Sequence, residues 1–199
     1  MKILRVAGLA LVLGTLASPL AAQLGLGSEG DKFVAAVREA DGTKVMDLLN
    51  ARGSTVVNYR GYDGDTALHI IARRRGVWLG FLLAKGADPN VGDAKGDTPL
   101  IIVSRIGYEE GARTLLGARA RVDLANKLGE TALIAAVQGR HPQIVRLLLA
   151  AGANPDKADH AAGYSARDYA KQDRRSTELL KLIETVKPTA KTSVGPPIK

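Results

Sequence analysis

GDTALH at 64–69 returns as GDTPLI at 96–101, as GETALI at 129–134 and, loosely, as GYSARD at 163–168. The glycines that open these copies, Gly64, Gly96, Gly129 and Gly163, lie 32, 33 and 34 residues apart. A near-constant period of this size signals supersecondary units stacked in a row, each too small to bury its own apolar surface. The sequence around the third copy, GETALIAAVQGRHPQIVRLLLAAGANPD at 129–156, shows what one unit contains. Thr131 can cap a helix that runs through the apolar stretch Ala132 to Val137. Gly139 and Arg140 interrupt it. A second helical pattern opens near Pro142 and sets Ile144, Val145, Leu147, Leu148 and Leu149 on one face. Gly152 suits a left-handed helix end, and Asn154-Pro155-Asp156 supplies turn residues. In the second copy Thr98 precedes Pro99, a residue preorganised for the first helical position. Each unit therefore reads as a short helix, a tight turn, a longer helix and a projecting loop.

This combination resembles the ankyrin repeat: G-x-T-A/P-L-H/I, an aliphatic second helix ending in LL or LLL, and then G-A-D/N-P-N/D. The closest matches to the pattern are GDTALH…FLLAKGADPN at 64–90 and GETALI…RLLLAAGANPD at 129–156. The resemblance implies an all-α fold: an ankyrin-repeat solenoid of stacked helix-turn-helix units with projecting β-turn/hairpin loops. It divides 31–186 into an N-terminal capping repeat at 31–63, repeats at 64–95, 96–128 and 129–162, and a C-terminal cap at 163–186. The first segment keeps the apolar outline through Phe33, Val37, Val45, Met46, Leu48, Leu49 and Gly53 but lacks the Thr-x-Leu-His signature. The last has Arg167 where the others carry Leu68, Leu100 and Leu133, which gives the array a more polar end. Arg119 occupies the place held elsewhere by Gly53, Gly86 and Gly152; a left-handed backbone there would cost about 1 kcal/mol.

Outside the array the sequence is simpler. Residues 1–22 have the form of a secretory signal peptide: Lys2 and Arg5, an apolar run from Val6 to Leu16, then small residues, with cleavage expected between Ala22 and Gln23. The run is too short to span a bilayer, where roughly 20 residues are needed. The reading implies export across the cytoplasmic membrane and, in a bacterium with two membranes, a periplasmic protein. Residues 23–30 read as a flexible lead-in, and 187–199, with three prolines, as a disordered tail. Removing Lys2 and Arg5 takes the 28 basic residues to 26 against 20 acidic ones, a balance of +6. With no cysteine the chain has no disulfide, no thiolate nucleophile and no Cys-based zinc site.

No catalytic constellation is visible and no cofactor or metal is implied. Asp63, Asp65, Asp93, Asp97 and Asp159 recur with the repeat and read as turn-formers, since a metal needs convergent ligands. GLGSEG at 25–30 lacks the Lys-Ser/Thr of a phosphate loop, and no serine sits in a nucleophile elbow. Of the histidines, the resemblance implies that His69 bonds within and between repeats. His141 starts a helix, and His160 is the one placed to meet a ligand.

The resemblance also implies a protein-binding surface made by the loop tips and the first-helix face. Its candidates are Tyr59, Arg60, Tyr62 and Asp63; then Asn90, Asp93 and Lys95; Asn126, Lys127 and Leu128; and Lys157, Asp159, His160 and Tyr164. Tyr59, Arg60 and Tyr62 lead, because Tyr and Arg are enriched at hot spots. A second group, Arg73, Arg74, Arg75, Arg140, Arg174 and Arg175, falls in the inter-helix turns and could form an anion-binding stripe for lipid headgroups or nucleic acid. No aromatics interleave with it, which argues against nucleic acid. The expectation is a non-catalytic adaptor or inhibitor of the cell envelope that binds a protein partner as a monomer, with polyanion binding as the alternative.

Overall fold

The computed structural model describes residues 27–173 and 177–187. The leader, residues 23–26 of the lead-in, residues 174–176 with Arg174 and Arg175, and residues 188–199 of the C-terminal tail lie outside the described residues. Among the described residues ten α-helices follow one another in pairs: α1 (Glu29–Glu39) with α2 (Gly42–Asn50), α3 (Ala67–Arg73) with α4 (Leu79–Ala84), α5 (Pro99–Ile106) with α6 (Glu109–Gly117), α7 (Ala132–Gln138) with α8 (Pro142–Ala150), and α9 (Ala166–Gln172) with α10 (Thr177–Thr185). Successive first helices pack on one another from α1 through α9, and α4, α6, α8 and α10 form a parallel outer row. The fold is an all-α solenoid, as the repeat requires. The described residues include no strand, only an isolated antiparallel bridge between Ala125 and Thr131 at one loop.

The two rows differ in how they are buried, and their sequences differ accordingly. First helices are walled in on several sides. Ala67 through Ala72, Pro99 through Ser104 and Ala132 through Val137 are buried without interruption. Second helices bury one stripe, such as Ile144, Val145, Leu148 and Leu149 in α8. An all-round apolar helix beside an amphipathic one is what an interior row and an outer row need. Phe33, Leu68, Leu82, Leu100, Leu115, Leu133, Ile144 and Leu148 anchor a core that runs through every pair.

Helix ends follow the expected chemistry. The Thr98 and Thr131 hydroxyls accept from the amides of Ile101 and Ile134, and Pro99 opens α5. The Thr66 hydroxyl instead lies 2.7 Å from His69 Nδ1, in a reciprocal cap that also ties the Thr66 amide to that ring. One boundary shifts: α1 begins at Glu29, inside the segment read as flexible. Ser28 and Asp31 cap each other reciprocally there, the Asp31 amide donating to Ser28 Oγ and the Ser28 amide and hydroxyl to the Asp31 carboxylate.

The uneven period has two local causes. The segment from Arg75 to Gly86 is one residue shorter than those from Gly107 to Arg119 and from Arg140 to Gly152. The loss falls on α4, which has six residues against nine in α6 and α8. At the other end, the tip between Asp159 and Gly163 has one residue more than the tip between Asn126 and Gly129. Arg119 is left-handed with φ 63°, like Gly53, Gly86 and Gly152 in the equivalent places.

Candidate functional site

Each projecting loop turns through a tip closed by an amide-to-carbonyl bond. Gly61 N donates to Asp65 O, Asp93 N to Asp97 O, Asn126 N to Glu130 O, and Asp159 N to Tyr164 O, at 2.8–3.0 Å. Gly61, Asp93, Asn126 and Asp159 are thus equivalent. In three of them the side chain stiffens the turn from inside. Asp93 Oδ1 accepts from the amides of Lys95 and Asp97. Asn126 Oδ1 accepts from Leu128 and Glu130, and Asp159 Oδ1 from Ala162 and Gly163. Gly61 has no side chain to give, and Asp63 substitutes by accepting from the Asp65 amide. Asp93, Asn126 and Asp159 are accordingly buried, and Asp63 is half-buried.

Behind the tips runs a ladder of ion pairs along the first-helix row. Arg38 of α1 pairs with Asp63. Arg73, at the end of α3, reaches Asp65 at 2.5 Å in its own repeat and Asp93 at 2.6 Å in the next. Arg105, at the end of α5, bonds both oxygens of Asp97 at 2.7 and 3.0 Å and Glu130 of the next repeat at 2.6 Å. Burial alone would raise the Asp97 carboxyl, but hydrogen bonds from Arg105 and Asn126 outweigh it and hold it below its ordinary range. The Arg105 guanidinium is in turn held more firmly charged, first by its bond to Asp97.

The next rung is built differently. Gln138 stands where Arg38, Arg73 and Arg105 stood, two residues before the left-handed turn residue. Tyr169 of α9 supplies the donor instead, its hydroxyl 2.6 Å from Asp159 Oδ2. That bond, with burial second, pushes the phenol up to about 12. His69 closes another inter-repeat link. Its Nε2 lies 3.0 Å from the Asp97 carbonyl, and burial holds its ring below the usual imidazole range, so it is neutral near pH 7.

The sequence-derived candidates separate into two groups. Tyr59 is half-buried, its ring against Gly30 and its hydroxyl donating to Asp31 at 2.9 Å. Asn90 accepts from the Arg121 amide, and Lys157 Nζ donates to the Asp123 carbonyl. With Asp63, Asp93, Asn126 and Asp159, these side chains serve the loops themselves. The outward-facing set is Arg60, Tyr62, Lys95, Lys127, Leu128, His160 and Tyr164. Tyr62 is 84% exposed and Leu128 61%, both large apolar groups standing in solvent.

The inter-helix arginines are also engaged. Arg73 belongs to the ladder. Arg74 donates to the Arg38 carbonyl and Arg75 to the Ile106 carbonyl, so both satisfy the last carbonyls of neighbouring first helices, where the helix dipole favours a cation. Arg140 Nε lies 2.7 Å from Asp173. His141 acts similarly toward the Arg105 carbonyl at 3.2 Å. Arg174 and Arg175 lie outside the described residues. Sequence reading passed over Arg38, Arg105 and Glu130; their common signal was position, an Arg at a fixed place before the turn and an acid just ahead of the Thr.

A family model of ankyrin repeats in three copies matches residues 68–159. The chain is 38% identical over 121 residues to the ankyrin repeat and KH domain-containing protein mask-1 of Caenorhabditis elegans, covering 59% of this chain and 5% of that protein. It is 33% identical over 129 residues to the E3 ubiquitin-protein ligase XBAT33 of Arabidopsis thaliana, covering 63% and 25%. With a putative ankyrin repeat-containing protein of Treponema pallidum it shares 32% identity over 139 residues, covering 70% and 40%. The chain thus spans two-fifths or less of each of these relatives.

Proposed function

The chain belongs to the ankyrin-repeat family, and we propose that it is a non-catalytic adaptor or inhibitor of the cell envelope that captures a protein partner on its loop tips. Ankyrin repeats are in general protein–protein interaction modules and typically carry no chemistry of their own. The observation that supports the tip as the contact is the contrast within it. Every acidic or amide side chain at the turn of a tip is used to hold it, whereas Tyr62, Leu128 and Tyr164 remain exposed, even though the Arg38 guanidinium lies 5.7 Å from the Tyr62 ring centroid and Tyr164 meets Tyr169 edge-on at 5.6 Å. Exposed aromatic and aliphatic groups on a stiff backbone lose little entropy on binding. The envelope location rests on the leader-like residues 1–22. In the Gram-negative case it makes the partner a periplasmic protein.

The test is a crosslinking pull-down with the chain expressed at full length and recovered from fractionated cells, alongside a Tyr62→Ala/Leu128→Ala variant. Tyr59→Ala serves as a folding control, since Tyr59 holds the first helix. Capture of one protein by the parent and its loss in the tip variant is the expected result. Capture unchanged by the variant would move the site off the tips. Recovery of the protein from the cytosol with its leader intact would overturn the envelope location. The alternative, polyanion binding through the inter-helix arginines, is less well supported, because Arg73, Arg74, Arg75 and Arg140 already have carboxylate or carbonyl partners. It predicts a steep fall in binding with salt.

A further inference from the structure

The ion-pair ladder ends in two glutamines. Its rung position lies seven residues after the capping Thr or Ser of each first helix: Arg73 after Thr66, Arg105 after Thr98, Gln138 after Thr131 and Gln172 after Ser165. Where the arginines stop, the surface opens. A cleft of about 370 Å³ lies between the end of α7 and the end of α9, lined by Val137, Gln138, Arg140, Tyr169, Gln172 and Asp173. At the equivalent places Arg73 and Arg105 each lay a guanidinium across two carboxylates of successive repeats. Glutamine is shorter and uncharged, so both space and negative charge are left over.

The acceptors of the missing rung remain. Arg73 pairs with the acid before the capping Thr, Asp65, and with the first acid of the next tip, Asp93. The counterparts around Gln138 are Glu130 and Asp159. Glu130 receives its bonds from Arg105 and Asn126 on the same oxygen, Oε2. Asp159 Oδ2 receives a neutral donor, the Tyr169 hydroxyl. The Glu130 charge reaches that hydroxyl too, and the Gln138 amide stands beside it. Arg140 is a cation in the lining, but its Nε is paired with Asp173 at 2.7 Å, so those two charges cancel. Behind them Asp97, Glu130 and Asp159 face the single guanidinium of Arg105. That surplus favours a cation in the cleft over an anion. The volume is at the small end of the ~300–1,000 Å³ of ligand pockets, which suits one long side chain. Two side-chain amides and a carboxylate accept from several directions, and Tyr169 adds an aromatic ring. A planar guanidinium with its fork of donors answers that set better than the compact ammonium of lysine. Resting on the reading that the chain captures a protein, we propose that this cleft receives an arginine side chain of the partner, which completes the rung that Gln138 leaves open.

The test titrates the isotopically labelled full chain with N-acetyl-arginine amide and follows its amide signals by NMR. N-acetyl-citrulline amide, similar in shape but uncharged, and N-acetyl-lysine amide are the comparisons, all at matched ionic strength. The arginine probe is expected to shift the signals of Gln138, Gln172 and their neighbours with a millimolar Kd, about tenfold tighter than citrulline and about threefold tighter than lysine. Gln138→Arg fills the cleft from within. It should abolish those shifts and the capture of the protein partner while leaving Tm unchanged or higher, a combination that unfolding would not give. Gln172→Arg, entering from the other wall, should do the same, and Gln138→Ala, which leaves the cleft open, should keep probe binding within about threefold. Equal binding of the arginine and citrulline probes would overturn the proposal. So would shifts that persist in both arginine variants, or no shift at the cleft with about 50 mM probe. Capture of the partner by both arginine variants at the parental level would overturn it as well. In each case loss of capture in Tyr62→Ala/Leu128→Ala would still uphold tip binding. Capture indifferent to all of these variants would sink the tip reading too.

Discussion

Arg119→Gly should stabilise the protein, and the structure lets the size be worked out. Residue 119 follows α6 with φ 63°, in the place where Gly53, Gly86 and Gly152 have φ between 74° and 90°. For an L residue the left-handed region costs about 1–2 kcal/mol, because Cβ crowds the following carbonyl. Glycine removes that penalty but adds freedom to the unfolded chain, returning about 0.5–1 kcal/mol. The net gain is about 0.5–1 kcal/mol, which for an array of this length is a rise of roughly 1–4 °C in Tm. The reverse exchange isolates the same quantity. A Cβ added at Gly86 or Gly152 would find nothing within 4 Å, so no steric clash contributes. Gly152→Ala should therefore lose about what Arg119→Gly gains. Thermal melts followed by circular dichroism, with urea titrations beside them, read both. A Tm that falls in Arg119→Gly, or one unchanged in Gly152→Ala, would refute the argument. Either would mean that the helix end relaxes out of the left-handed region or that Arg119 repays its strain through its side chain.

Ser104→Ala should also stabilise, by about 1 kcal/mol, because the buried Ser104 hydroxyl has no hydrogen-bond partner and equivalent positions carry Ala72 and Val137; a lower urea midpoint would show that the hydroxyl is satisfied. His69 should make stability pH-dependent: its folded pKa is lowered by burial, so its contribution is complete above the ordinary imidazole value of 6.5 and is lost as pH falls through the depressed folded value. Urea midpoints between pH 7.5 and 5.0 should therefore fall more in the parent than in His69→Gln, and parallel curves would exclude His69 as the cause. Phenolate absorbance should show a tyrosine step near 12, and Tyr169→Phe should remove it; a difference spectrum titrating near the ordinary tyrosine value would mean that the bond to Asp159 is not maintained.

The architecture was legible because the repeat states it four times. Thr98 and Thr131, Pro99 and Gly152 do locally what their residue types favour, and the period alone places the strained Arg119 where its counterparts are glycines. The start of α1 was missed because Ser28-Glu29-Gly30-Asp31 contains a capping box inside a glycine-rich run, and the glycines masked it. The loop surface was legible only in outline. Sequence position placed Tyr59 and Tyr62 together, yet Tyr59 turns inward onto Gly30, at the start of α1 in the same capping unit, while Tyr62 turns out. Likewise Arg73 looked available until Asp65 and Asp93, one beside it and one a repeat later, were brought to its two amino groups. Which side chains a fold consumes depends on contacts between residues far apart in the chain, within a unit as for Tyr59 or between repeats as for Arg73 and Asp93, and residue types in a loop do not show these.

That consumption bears on how such a surface can be specific. A tip held by its own Asp or Asn, and a ladder of arginines with their acceptors already engaged, contribute stiffness and a fixed field but few free donors. Exposed paired charges add little affinity of their own. If the tips bind a partner as proposed, discrimination comes from positions that vary while the scaffold repeats: Tyr62, Lys95, Lys127 with Leu128, and His160 with Tyr164. The substitution of Gln138 and Tyr169 for an arginine rung matters in the same way. It ends the alternation of shared guanidinium and paired carboxylates one repeat before the cap, so the field along the tips is asymmetric from one end to the other.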